Sequence, residues 1–118
     1  MRYLCLVYLE EEKMRALSPE EGKALDRESI AYDEKLQASG HYIASDALQP
    51  VTKAVTVRRK NGLPAVMDGP FAETKEHLGG FILIEAADLG EAIRIASDIP
   101  VGRYGAIEVR PVMEIGAS

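Results

Sequence analysis

Two apolar runs in this chain carry hydrophobic residues on both faces of an extended strand. Residues 2–9, Arg-Tyr-Leu-Cys-Leu-Val-Tyr-Leu, form one, and Phe81 to Ala87 forms the other. A strand that is apolar on both sides is covered on both sides. Between them the pattern changes period. Leu25, Ser29, Tyr32 and Leu36 recur at helical spacing, while Ile30 falls on the opposite side among Asp26, Arg27, Asp33 and Glu34. Ser18-Pro19-Glu20-Glu21 starts this helix: Ser18 caps, Pro19 fits the first turn, and Glu21 completes a capping box. The helix runs to about Ser39 and stops at Gly40. His41 to Leu48 reads as a second strand, interrupted by Pro50, and Ala54 to Arg59 as a third. Asn61-Gly62 is a hairpin turn signal, with Pro64 to Asp68 as the returning strand. Asp88-Leu89-Gly90-Glu91 repeats the capping logic and opens a second helix to about Ile99, with Leu89, Ala92, Ile93 and Ala96 as its expected buried face; Pro100 ends it. Ala106 to Met113 is the last strand, and Glu10 to Lys13 simply ends the first one with charge.

The order is strand, helix, strand, inserted hairpin, strand, helix, strand. Two β-α-β halves flank the hairpin. This predicts an α+β fold: a ferredoxin-like protomer, with helices on one face of an antiparallel sheet. The other face is then left wet, although strands 2–9 and 81–87 are apolar there too. A second copy packed sheet to sheet is the simplest remedy, so a homodimer is expected. In the last strand Ile107 and Val109 point toward the helices, and Glu108 and Arg110 point away. Charges on a covered face are costly unless they are paired or border a wet pocket. Glu85 is a candidate for that face as well.

At 118 residues the chain reads as a single domain over 1–118, able to bury roughly two-thirds of its unfolded surface. Its net charge of -5 argues against nucleic acid or an anionic membrane as the main partner. Arg58-Arg59-Lys60, beside Asn61-Gly62, is read as a solvated hairpin tip. Cys5 is the sole cysteine, in an apolar run where a thiol acts as a small buried hydrophobe. No apolar run reaches membrane-spanning length and no leader pattern is evident, so the expected location is cytoplasmic.

The densest chemistry lies in residues 68–81, Asp-Gly-Pro-Phe-Ala-Glu-Thr-Lys-Glu-His-Leu-Gly-Gly-Phe. Asp68 ends a strand before Gly-Pro, where it either ties the turn's amides or stands as a carboxylate at a pocket rim. Glu73, Lys75 and Glu76 either pair with one another on the surface or, through Lys75, hold an anion. His77 is the better placed of two histidines able to titrate near neutrality. Gly79-Gly80 permits close approach before the strand. No metal spacing, phosphate-cradling loop, dinucleotide fingerprint or nucleophile elbow is present, so no cofactor and no metal are expected.

Asp68-Gly69-Pro70-Phe71-Ala72-Glu73-Thr74-Lys75-Glu76, followed by Leu78-Gly79-Gly80-Phe81, resembles the signature of the DGPF-type branch of the YCII-related proteins. The likeness extends over the chain through Tyr8, the Asn-Gly hairpin, Pro100 and Glu108-Val109-Arg110-Pro111. It implies a dimeric α/β barrel of ferredoxin-like protomers. The family has no established activity. The enzymatic proposal for its other branch depends on a histidine in the first helix, and Pro19 to Ser39 here contains none. The position of His77 is often Gln in the DGPF branch. Relatives are often encoded beside, or fused to, extracytoplasmic sigma factors, which implies a regulatory setting. The resulting expectation is a small-ligand-binding or regulatory dimer with a polar pocket at the signature loop. One alternative is a cofactor-independent enzyme on a small anionic substrate. There Asp68 and His77 are the catalytic candidates, and Glu73, Lys75, Glu108 and Arg110 the substrate-binding ones. The other alternative is a purely structural signature.

Overall fold

A computed structural model describes residues 1–116 of the chain. Its first strand, β1 (Arg2–Glu10), alternates buried Tyr3, Cys5 and Val7 with half-buried Leu4, Leu6 and Tyr8. The charged segment after it forms a short helix, α1 (Glu11–Arg15), rather than a plain break. Acidic Glu11 and Glu12 occupy its first turn and basic Lys13 and Arg15 its last, which complements the helix dipole. That signal is electrostatic and carries no apolar periodicity, so a hydrophobic pattern does not reveal it.

The long helix α2 (Pro19–Ala38) begins as expected. Ser18 Oγ accepts from the Glu21 amide at 3.1 Å, and the Glu21 carboxylate accepts from the Ser18 amide at 3.0 Å. Hydrogen bonds from the Ser18 amide first, and from the Ser18 hydroxyl after it, hold the Glu21 carboxyl below its usual range. The chain turns out of the helix at Gly40, with φ of 81°. Strand β2 (Tyr42–Ala47) and a 3-10 turn (Val51–Lys53) follow. The hairpin β3 (Val55–Lys60) and β4 (Leu63–Asp68) reverses at Asn61 and Gly62, both at positive φ. Strand β5 (Glu76–Glu85) starts at Glu76 rather than Phe81, so the second half of the signature is strand. Helix α3 (Leu89–Ser97) is capped by Asp88, and a second 3-10 turn (Pro100–Tyr104) leads into β6 (Gly105–Pro111).

In α3 the expected buried face is rotated. Ala92, Ile95 and Ala96 are buried with Ile99 behind them, while Leu89 and Ile93 are both 49% exposed. Positions 89/92/93/96 and 92/95/96/99 obey the same helical spacing, and only the docking of the helix chooses between them.

Four strands form one antiparallel sheet in the order β2-β5-β1-β6. The core joins one face of that sheet (Tyr3, Cys5, Ile82, Ile84) to Leu36 of α2 and Ala92, Ile95 and Ala96 of α3. The Tyr32 hydroxyl ties the helices by donating to the Ile95 carbonyl at 2.5 Å. Burial pushes the Cys5 thiol up to about 11, so it stays a neutral hydrophobe. Across the sheet, Leu4 faces Leu83 and Arg110, and Leu6 faces Phe81 and Glu108. This face has no helix on it, and Glu108 and Arg110 lie on it.

β3 and β4 pair only with each other. Val55, Val57, Leu63, Val66 and Met67 are each more than half exposed, so the hairpin is an arm with apolar residues on both faces. The radius of gyration, 16.3 Å, exceeds the roughly 13–14 Å of a compact chain of this length.

Candidate functional site

The signature divides into a turn, an exposed loop and the start of β5. At the turn Gly69 sits at φ 103°, a conformation that disfavours side chains. Its amide donates to the Ala54 carbonyl at 2.8 Å, and Thr56 Oγ1 donates to the Gly69 carbonyl at 2.8 Å. The arm's base is thereby pinned to the loop. Beyond it, the Arg58 guanidinium lies 4.9 Å from the centroid of the Phe71 ring.

At the other end the β1–β5 ladder slips by one residue. Val7 faces Gly80, but Tyr8 faces Leu78. Gly79 is the extra residue of a bulge, and such a slip turns the following side chains to the opposite face. Leu78 and Glu76, opposite Tyr8 and Glu10, therefore join Leu4 and Leu6 on the helix-free face. The paired glycines make this possible. A Cβ on Gly79 would lie 2.6 Å from Leu9 Cδ1, and one on Gly80 would lie 2.8 Å from the Asp46 carbonyl oxygen of β2.

This arrangement opens a cleft of about 550 Å³. One wall is the signature: Pro70, Phe71, Ala72, Thr74, Glu76, His77 and Leu78. The other is Leu48 to Val51 with Lys53 and Ala54, and Tyr8 also contributes to the lining. The second wall is held by Leu48 N–H donating to the Gly79 carbonyl and Val51 N–H donating to the Glu11 carboxylate. Two smaller hollows adjoin it. One, of about 400 Å³, lies among Glu10, Glu11, Glu12, Arg15 and Lys75; the other, of about 420 Å³, lies beside Leu9 and Met14. His77, half-buried, borders all three.

The other candidates are dispersed. Asp68 is exposed at the end of β4, outside these hollows, and no hydrogen bond from its side chain ties the turn. Glu73 is exposed and makes no ion pair among the described residues. Lys75 pairs with neither Glu73 nor Glu76. Its Nζ lies 3.0 Å from Glu10 Oε1, whose carboxylate also meets Lys13 at 2.8 Å. Lys13 first, and Lys75 with it, hold the Glu10 carboxyl below its usual range, and Glu10 in turn raises Lys75. Lys75 is thus a clasp between the loop and the end of β1. Glu108 and Arg110 bond each other at 2.8 Å on β6, which is separated from β5 by β1, and neither lines the cleft. Nothing local in the sequence marks Tyr8, Leu48, Pro50, Val51, Lys53 and Ala54 as site residues, because segments distant from the signature supply them. Among the described residues no three His, Cys, Asp or Glu side chains gather as a metal set. No helix among them is long and apolar enough to cross a membrane.

The sequence profile of the YCII-related domain matches residues 1–116. An uncharacterised protein of Rhizobium meliloti (strain 1021) is similar to this chain. It is 41% identical over 114 residues, spanning 95% of this chain and 92% of that protein.

Proposed function

The chain belongs to the YCII-related domain family, and from that premise we propose that it is a dimer that binds a small molecule in the cleft of its signature loop. One observation carries the reading: seven of the fourteen residues 68–81 form one wall of one cleft. Its glycines and bulge serve that end, since they aim Leu78 and Glu76 at the cleft instead of the core. A purely structural signature would not need this re-aiming. A concave, mostly apolar hollow with a few polar groups suits a small ligand. The alternative reading, a cofactor-independent enzyme, is supported mainly by His77 at the junction of the three hollows. The carboxyl groups with displaced pKa, Glu10, Glu21 and Glu91, are all lowered. A general base poised near neutrality calls for the opposite shift.

The dimer is part of the proposal. The strand order β2-β5-β1-β6 is that of a ferredoxin-like protomer, which has one sheet face to spare. Leu4, Leu6, Phe81 and Leu83 line that face, and a second copy packed against it makes the barrel. The test of the site is a small-fragment screen followed by amide NMR. Binders should perturb Tyr8, Val51, Ala54, Phe71 and His77 together. Binders that perturb only other surfaces would refute the reading.

A further inference from the structure

The charges around the cleft are sorted, and the sorting names a ligand class. Lys53 is the cationic side chain on its lining, and among the described residues it makes no ion pair. Lys75 is held by Glu10, Arg15 of the adjoining hollows by Glu11, and Arg58 lies over the Phe71 ring. Glu76 is the carboxylate on the lining, and it too makes no ion pair among the described residues. The two do not meet each other, although both border the same hollow: Lys53 closes the 3-10 turn on one wall and Glu76 opens β5 on the other. The rest of the lining is mostly apolar and includes two aromatic rings and two prolines, Tyr8, Phe71, Pro50 and Pro70.

Resting on the reading of this cleft as a ligand site, we propose that it takes an aromatic carboxylic acid bearing a hydrogen-bond donor at its far end. The carboxylate lies at Lys53, the ring between Tyr8 and Phe71, and the donor at Glu76. An anion at Lys53 meets an uncommitted ammonium. A hydroxyl at Glu76 gives that carboxylate a partner without adding a second negative charge beside it. Flat rings pack well against aromatic and proline walls. A long aliphatic acid would satisfy Lys53 but leave Glu76 facing hydrocarbon.

The test uses three fluorescent probes on the intact protein at neutral pH: hydroxynaphthoate, naphthoate and the uncharged hydroxynaphthamide. Hydroxynaphthoate should bind tightest, and its binding should weaken with added salt. Lys53→Met should weaken both acids about threefold to tenfold and leave the amide unchanged. Glu76→Gln should reduce the advantage of hydroxynaphthoate over naphthoate. Ala54→Trp, which fills the cleft, should abolish binding of all three. If Ala54→Trp blocks every probe but Lys53→Met leaves the acid-to-amide ratio unchanged, the ligand class is overturned while the cleft remains a binding site. If no probe binds, or Ala54→Trp leaves binding intact, the site reading falls and the ligand class falls with it.

Discussion

At the scale of single residues, the signature's glycines are explained by what would touch a side chain there. Gly79 and Gly80 read alike in sequence, yet their surroundings differ. A Cβ on Gly79 meets Leu9 Cδ1, the end of a side chain that can rotate away. One on Gly80 meets the Asp46 carbonyl, which is held in the β2–β5 ladder and can move only with its strand. Gly80→Ala should therefore destabilise the fold by about 1–3 kcal/mol in urea unfolding, and Gly79→Ala by clearly less. Equal effects would show that the ladder yields as easily as the leucine. Asp68 presents the reverse case: prominent in sequence, it is exposed in the fold and bonds none of the turn's amides through its side chain. The turn is held instead by backbone and by Thr56.

At the scale of elements, the contact between loop and strand decides the shape of the site. Glu10 at the end of β1 gathers Lys13 from α1 and Lys75 from the loop. Its folded carboxyl is lowered, so the clasp adds stability above the ordinary glutamate range and loses it as pH falls through the lowered value. A carboxyl-carbon NMR titration should place Glu10 below an ordinary glutamate. Lys75→Met should move the midpoint upward, and only partway, because Lys13 remains. An unmoved midpoint would dismiss the clasp. Helix α3 makes a related point. Its capping was legible, since Asp88 accepts from the Glu91 amide as expected, but the Glu91 carboxylate reaches the Ala87 amide and His41 rather than closing a box on Asp88. Its rotation was not legible, since two stripes satisfied one period.

At the scale of the whole molecule, two surfaces ask for cover. The helix-free face carries Leu4, Leu6, Phe81 and Leu83, and the arm carries Val57 and Val66 in one cross-strand pair, 62% and 66% exposed. A two-stranded ribbon is marginal in water on its own. Light scattering at micromolar concentration should return a mass near twice 12.9 kDa. Leu6→Glu should shift the protein toward monomer, because it places a charge on the face that the proposed second copy would cover. A clean, folded monomer for the unaltered chain would end the dimer proposal. The Glu108–Arg110 pair belongs to this scale too. It lies beside Leu4 and Leu6 and is satisfied within its own strand, so it can enter an interface without an unpaired charge.

Local chemistry in the sequence determined most of the elements of this protein, though not α1 or the early start of β5 inside the signature. The Ser18–Glu21 box, Gly40, Asn61-Gly62 and the apolar run of β1 each act within a few residues, so each can be read without a fold. The α+β order followed from their succession. Tertiary structure alone decided how the site is made. The partner of Lys75, the second wall from Leu48 to Ala54, the bulge that turns Leu78 and Glu76 outward, and the idle state of Lys53 all depend on segments brought together across the chain. Pairing and exposure are properties of distance in space, and residue types carry distance only along the chain.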